Sequence, residues 1–254
     1  MKARHAALVL IALTPLAGCG QKSAPTQTPS ASSAASEPVG TPSGAAPVAE
    51  ASSVAPLIKA ASYPPRDECA DLPGWAEFRV KLEAAVAGRD VAALPALTAP
   101  DVKLDFGGGF GVKELKKRLA DKEYRLWDEI AAVMPLGCSA SPAEGQAKSA
   151  SMPWIFERSP QDVDPYAAML VLGPSVPAYA KESTASTVIG TLDWALVTVE
   201  TYPEQGKPLA KVTLPDGKSS GFVETAKLRS IIDYRLQATR MKQGWMIDAL
   251  IAGD

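Results

Sequence analysis

Apolar positions recur with two different periods along this chain, and the change of period divides it. Trp75, Phe78, Leu82 and Val86 fall on one face of a helix that Gly88 stops. Asp90 is placed to cap a short second helix, which Pro95 must end or kink. Val112, Leu115 and Leu119 mark one face of a third helix. A fourth begins at Asp121 and carries Tyr124, Trp127, Ile130 and Met134 along one side. Aromatic stripes at this spacing predict core. The small, polar stretch from Ser139 to Ser151 reads as a loop or a domain boundary.

Beyond it the period becomes two. Ala210, Val212 and Leu214 alternate with Lys211 and Thr213, and Pro215-Asp216-Gly217 makes a turn. Ile232, Tyr234, Leu236 and Ala238 alternate with Asp233, Arg235, Gln237 and Thr239. After a Gln243-Gly244 turn, Trp245, Ile247, Ala249 and Ile251 repeat the pattern. Short strands with close turns predict a small barrel or a packed antiparallel sheet.

The first 65 residues follow neither period. Lys2 and Arg4 precede an apolar run from Ala6 to Pro15, and Leu16-Ala17-Gly18 supplies small residues before Cys19. This order predicts an export signal, and the run is shorter than the roughly 20 residues a membrane span needs. Leu-Ala-Gly-Cys resembles the lipobox of bacterial lipoproteins. The resemblance implies a signal peptide over 1–18, acylated Cys19 as first mature residue, and a membrane anchor facing the periplasm. Gly20, standing where an aspartate would favour inner-membrane retention, points to the outer membrane. Residues 19–65, rich in Ala, Ser and Pro, bury too little apolar surface to offset ordering and read as a disordered linker. As a coil it spans roughly 35 Å.

Three cysteines suit that compartment. With Cys19 acylated, Cys69 and Cys138 form an even pair in an exported region and predict a disulfide. The formal net charge of −2 and the absence of a basic stripe argue against a nucleic-acid partner.

The segments "STVIGTLDWALVTVE" and "LAKVTLPDGKSSGFVETAKLRS" resemble the bacterial SH3-like domain. Val188-Ile189-Gly190-Thr191-Leu192, Lys211-Val212, Asp216-Gly217-Lys218, Gly221-Phe222-Val223 and Leu228-Arg229 carry the likeness. The family's usual opening is replaced by Ala178 to Glu182, and Phe222 stands where a tryptophan is usual. The resemblance implies a small antiparallel barrel whose inter-strand loops dock peptide or sugar. Tyr179, Trp194 and Tyr202 are then the candidate ligand-binding residues, though plugging the barrel ends is an equal reading of them.

The sequence carries few constellations for catalysis. Its only histidine, His5, lies in the signal region, which argues against histidine triads and histidine metal sites. No serine sits in a G-x-S-x-G elbow. Asp101 with Asp105, and Asp162 with Asp164, are carboxylate pairs whose separation sequence does not give. "KLDFGGGFGVKELKKRL", Lys103 to Leu119, has the strand–glycine–helix order of phosphate sites. It places Val112 at the third position of a G-x-G-x-x-G fingerprint and lacks the Gly-Lys-Ser/Thr of a phosphate loop. The expectation is therefore no enzyme, no cofactor, no metal and no nucleotide.

The expected class is α+β: a helical region over 66–157, then an SH3-like β-barrel over 158–254 with a C-terminal hairpin extension. The expected function is a lipid-anchored, non-catalytic envelope protein that binds peptidoglycan or an envelope protein. An N-terminal helix, a strand at Val102 to Phe106 and a long closing hairpin also resemble the cone-shaped nuclear-transport-factor-like α+β fold. On that alternative the SH3-like segment is an insertion, and Trp75, Phe106 and Trp127 line a small-molecule or vestigial-enzyme pocket.

Overall fold

The computed structural model describes residues 55–142, 148–204 and 206–253. The expected signal, Cys19 and most of the expected linker lie outside them. In chain order the helices and first strands are α1 (Trp75–Ala87), α2 (Ala93–Ala96), β1 (Thr98–Lys103), α3 (Val112–Ala120) and α4 (Leu126–Val133). Then come β2 (Ser139–Pro142), β3 (Lys148–Met152), α5 (Trp154–Arg158), β4 (Ala168–Val171), β5 (Val176–Tyr179) and β6 (Val188–Leu192). The last are β7 (Leu196–Thr198), β8 (Leu209–Thr213), β9 (Ser220–Glu224), β10 (Leu228–Ser230), β11 (Arg235–Met241) and β12 (Gly244–Ile251).

These strands form two sheets. One has the order β1-β12-β11-β3-β2, the other β10-β4-β7-β8-β9-β5-β6. The C-terminal hairpin is therefore central to the first sheet. β11 pairs with β12 on one side and with β3 on the other, where Leu236 faces Met152 and Ala238 faces Ala150. β1 joins the far side of β12 in parallel.

This arrangement corrects the expected fold class. The region 66–157 is not a helical unit: it supplies three strands to a sheet completed from the C-terminus, and its longest helix has 13 residues. The strands from 168 to 230 form an extended seven-stranded sheet with β10 and β6 at its ends, not a small SH3-like barrel. The molecule is mostly β. The difference lies where side chains are small. Ser139, Ala150 and Ser151 lack β-branched bulk and read as loop, yet all three are buried against neighbouring strands. Strand propensity measures fit to a packed surface, and that surface is supplied here from about 90 residues away.

α1 to α4 cover the first sheet as their periodicity requires. Trp75, Leu82, Leu115, Ile130, Leu236 and Ile247 lie in one core. Trp75 and Trp245 pack edge to face with ring centres 5.0 Å apart, and the Trp245 indole N–H donates to Pro73 O at 3.1 Å. Asp90 accepts the N–H groups of Ala92 and Ala93, as its capping position predicts. α4 starts later than its aromatic spacing suggests, because Arg125 takes φ 49° and leaves Tyr124 outside the helix. A second core, with Val171, Ala178, Leu192, Val197, Val212 and Val223, fills the seven-stranded sheet. A third, around Trp154, Ile155, Leu170 and Ile231, lies beside it.

The N-terminal arm spans both sheets. Ile58 N–H donates to Thr191 O at 2.8 Å and Thr191 N–H to Pro56 O at 2.9 Å, which extends the β6 edge. Tyr63 N–H donates to Trp194 O, and further along Cys138 N–H reaches Arg66 O while Glu68 N–H reaches Cys138 O. The expected disulfide then joins Cys69 to Cys138, with Cα atoms 5.8 Å apart. Its sulfurs lie near the Asp67 carboxylate, but sulfurs committed to each other do not make a metal site.

Candidate binding cleft

The glycine loop is occupied by the chain itself. Asp105 Oδ1 accepts the N–H groups of Gly107 and Gly109, each at 2.7 Å. Its other oxygen takes a short bond from the Arg118 guanidinium, which also donates to Leu104 O at 2.8 Å and to Glu114 at 3.0 Å. The Arg118 bond, helped by the Gly109 amide, holds the Asp105 carboxyl down at about 2. The amides that would cradle a phosphate are satisfied by a fixed anion. A Cβ at Gly109 would displace the Asp105 carboxylate or the Arg118 guanidinium from their pairing.

An open cleft of about 480 Å³ lies instead on the outer face of β8 and β9. Strand alternation sends Val212 and Val223 to the core and turns Lys211 and Phe222 outward as direct cross-strand partners. Thr213 and Ser220 form the next pair on that face. The β8–β9 turn sets Lys218 at one end. Asp216 fixes the turn, accepting from the Ser219 hydroxyl at 2.6 Å and from the N–H groups of Lys218 and Ser219. These bonds, the hydroxyl first, keep its carboxyl at about 2.

The opposite wall comes from residues 200–204, with Glu182 and Lys207 near by. Tyr202 is held by a 2.7 Å hydrogen bond between its hydroxyl and Ser230 Oγ, with half its surface open. Its other side borders a hollow of about 360 Å³ shared with Arg229, Ser230 and Asp233. Lys207 bridges Glu182 at 3.8 Å and Glu204 at 3.6 Å. Among the described residues, Lys211, Lys218 and Glu200 have no ion-pair partner in the cleft. The site therefore offers an aromatic face, two free ammonium groups and one free carboxylate. That set suits non-covalent binding of a ligand bearing both charges and a stackable ring.

The expected ligand residues separate. Tyr202 lies in the cleft. Tyr179 pairs with Phe222 across β5 and β9 but is buried and does not line the cleft. Trp194, at φ 46°, is half-buried against the third core and ties Gly173 to Tyr63 through its main chain. Phe222, Lys211 and Lys218 line the cleft, although the sequence marked them only as strand and turn positions of the SH3-like resemblance. Their signal was the outward phase of the β8–β9 alternation. Trp75 and Trp127 are buried in the first core while Phe106 is half exposed, so the three do not converge on one pocket. Trp127 borders a shallow hollow of about 120 Å³ with Arg89 and Asp121.

No protein-family model and no curated relative matches this sequence. Among solved structures it is similar to an NTF2-like protein with a cystatin-like fold from Novosphingobium aromaticivorans. The two share 13% identity over 71% of this chain and 79% of that one, with a TM-score of 0.28. At that score the likeness carries no conclusion about fold or function.

Proposed function

We propose that this chain is a membrane-anchored, non-catalytic protein of the cell envelope that binds peptidoglycan in the β8–β9 cleft. The observation that carries the reading is the juxtaposition of Phe222 and Tyr202 with unpaired Lys211, Lys218 and Glu200 in one open cleft. The wall polymer combines sugar rings with short peptides that bear carboxylates and amines. Sugar faces stack on aromatic side chains, carboxylates pair with lysines, and an amine pairs with Glu200. The lipobox-like Cys19 and its Ala/Ser/Pro-rich linker support the anchoring, at a membrane facing the periplasm.

The test is co-sedimentation of the full chain, kept in detergent, with purified sacculi. Wild type pellets at low and moderate salt. Tyr202→Ala and the pair Lys211→Glu with Lys218→Glu cut pelleting several-fold, while Trp194→Ala, outside the cleft, leaves it unchanged. Equal pelleting by wild type and the cleft variants, or none by wild type, overturns the reading and turns attention to an envelope protein as partner.

A further inference from the structure

The loop that fails as a phosphate site carries a different surface. Phe106 and Phe110 are exposed by 50% and 67%. Folding gains little from a phenylalanine left in water, and two on one loop form an apolar patch at a loop tip. They are neighbours. Phe110 pairs through its backbone with Lys103, and the Lys103 ammonium lies 4.1 Å from the centre of the Phe106 ring. Buried Arg235 lies 5.8 Å from the centre of the same ring and 4.2 Å from that of Phe156, so the Phe106 ring is held between a surface and a buried cation.

The loop is held in that conformation. Leu104 N–H donates to Gly109 O and Gly111 N–H to Val102 O, both at 2.8 Å. The Asp105–Arg118 pair closes it from inside. The two rings are thus presented by a braced loop.

Charge selects the partner. Between residues 101 and 118, five basic side chains accompany three acidic ones, although the whole chain carries −2. Two of those acids, Asp105 and Glu114, are engaged with Arg118. Lys103, Lys113, Lys116 and Lys117 are all exposed, and among the described residues only Lys117 of these has an acid partner, Glu114 at 3.7 Å. Exposed lysines beside exposed phenylalanines match a surface of anionic headgroups over hydrocarbon, where the rings enter the interface and the ammonium groups stay at headgroup level.

We propose that the Phe106–Phe110 loop and the basic face of α3 form a docking surface for an anionic phospholipid bilayer. The site is separate from the cleft, and a membrane attachment of this kind does not depend on the wall ligand.

The test uses the full chain with Phe110→Trp and vesicles containing brominated lipids. The native tryptophans are buried or half-buried, so quenching beyond the wild-type level reports the loop alone, however else the chain is attached. Added quenching is expected with phosphatidylglycerol/phosphatidylcholine vesicles and several-fold less with phosphatidylcholine alone. Combining Lys113→Glu with Lys116→Glu should weaken loop insertion by about tenfold or more, because each lysine near an anionic surface contributes additively. Absence of added quenching in anionic vesicles overturns the proposal, as does equal quenching in neutral ones. A Phe110→Trp emission that shifts only when another protein is added assigns the patch to that protein instead, and the proposal fails.

Discussion

Asp105 and Arg118, 13 residues apart, form the ion pair that closes the glycine loop, with Arg118 nine-tenths buried and Asp105 also holding the Gly107 and Gly109 amides. One carboxylate does for this loop what a bound phosphate does for a nucleotide site. It is the physical reason that a strand–glycine–helix sequence yields a braced surface loop.

That pair makes stability pH-dependent. The Asp105 carboxyl is held at about 2 against an ordinary 3.8, so the unfolded chain takes up this proton first. The contribution is therefore complete above the unfolded value and fades as pH falls toward about 2. Asp105→Asn should lower the denaturant midpoint at neutral pH, and its difference from wild type should vanish near pH 2. Urea titrations of both proteins across that range check it; a difference independent of pH contradicts it.

Glu68 fastens the arm to the first sheet. It accepts from Arg158 at 2.6 and 3.1 Å, from the Trp154 indole at 3.0 Å and from Ala140 N–H at 3.3 Å. Chiefly through Arg158, its carboxyl falls from 4.5 to about 2. The sign is that of Asp105: stabilising at neutral pH, lost on acidification between those values. A third of the side chain faces water, so Glu68→Gln should cost only about 1 kcal/mol at neutral pH. Thermal unfolding at neutral and acid pH reads it out.

Removing the disulfide should do more. Cys69 and Cys138 are separated by 69 positions, and closing a loop of that size contributes about 4 kcal/mol in the chain-entropy model. Cys69→Ser with Cys138→Ser should lower stability by up to that amount, and non-reducing mass spectrometry of the native protein should find no free thiol at either position.

Gly190 is the seat of the arm on β6. A Cβ there would lie 2.6 Å from Ile58 and 3.0 Å from Pro56 O. Gly190→Ala should lift residues 56–58 from the sheet edge, so hydrogen exchange at the Ile58 and Thr191 amides accelerates. Global stability should fall by only about 1 kcal/mol, because the core behind β6 stays packed. Unchanged exchange at both amides would mean the arm does not depend on that contact.

Local chemistry was legible where neighbours in sequence set it. The faces of α1 and α3, the Asp90 cap, the Asp216 turn and the alternation of β8 follow from residues within a few positions. In β12, by contrast, a bulge opposite Gln237 and Ala238 shifts the phase and puts Leu250, not Ala249 or Ile251, in the core with Trp245 and Ile247. The disulfide followed from cysteine count and expected compartment. The identity of β2 and β3 did not, because Ser139, Ala140, Ala150 and Ser151 become strand residues only against β11. The cleft was half legible: Tyr202 was named, but Tyr179 is buried in β5 and Trp194 packs against the third core, and aromatic character alone does not give exposure.

The sequence by itself determined the apolar faces of α1 and α3, the alternation of β8 and the glycine-rich break between a strand and a helix. Tertiary structure decided which strands share a sheet. It carried the C-terminal hairpin between β1 and β3, set Lys211 beside Phe222 in an open cleft, and left Phe106 and Phe110 facing outward. The reason is range. Periodicity and turn chemistry act over a few residues, whereas pairing and burial are chosen by surfaces that meet only after distant segments have folded together.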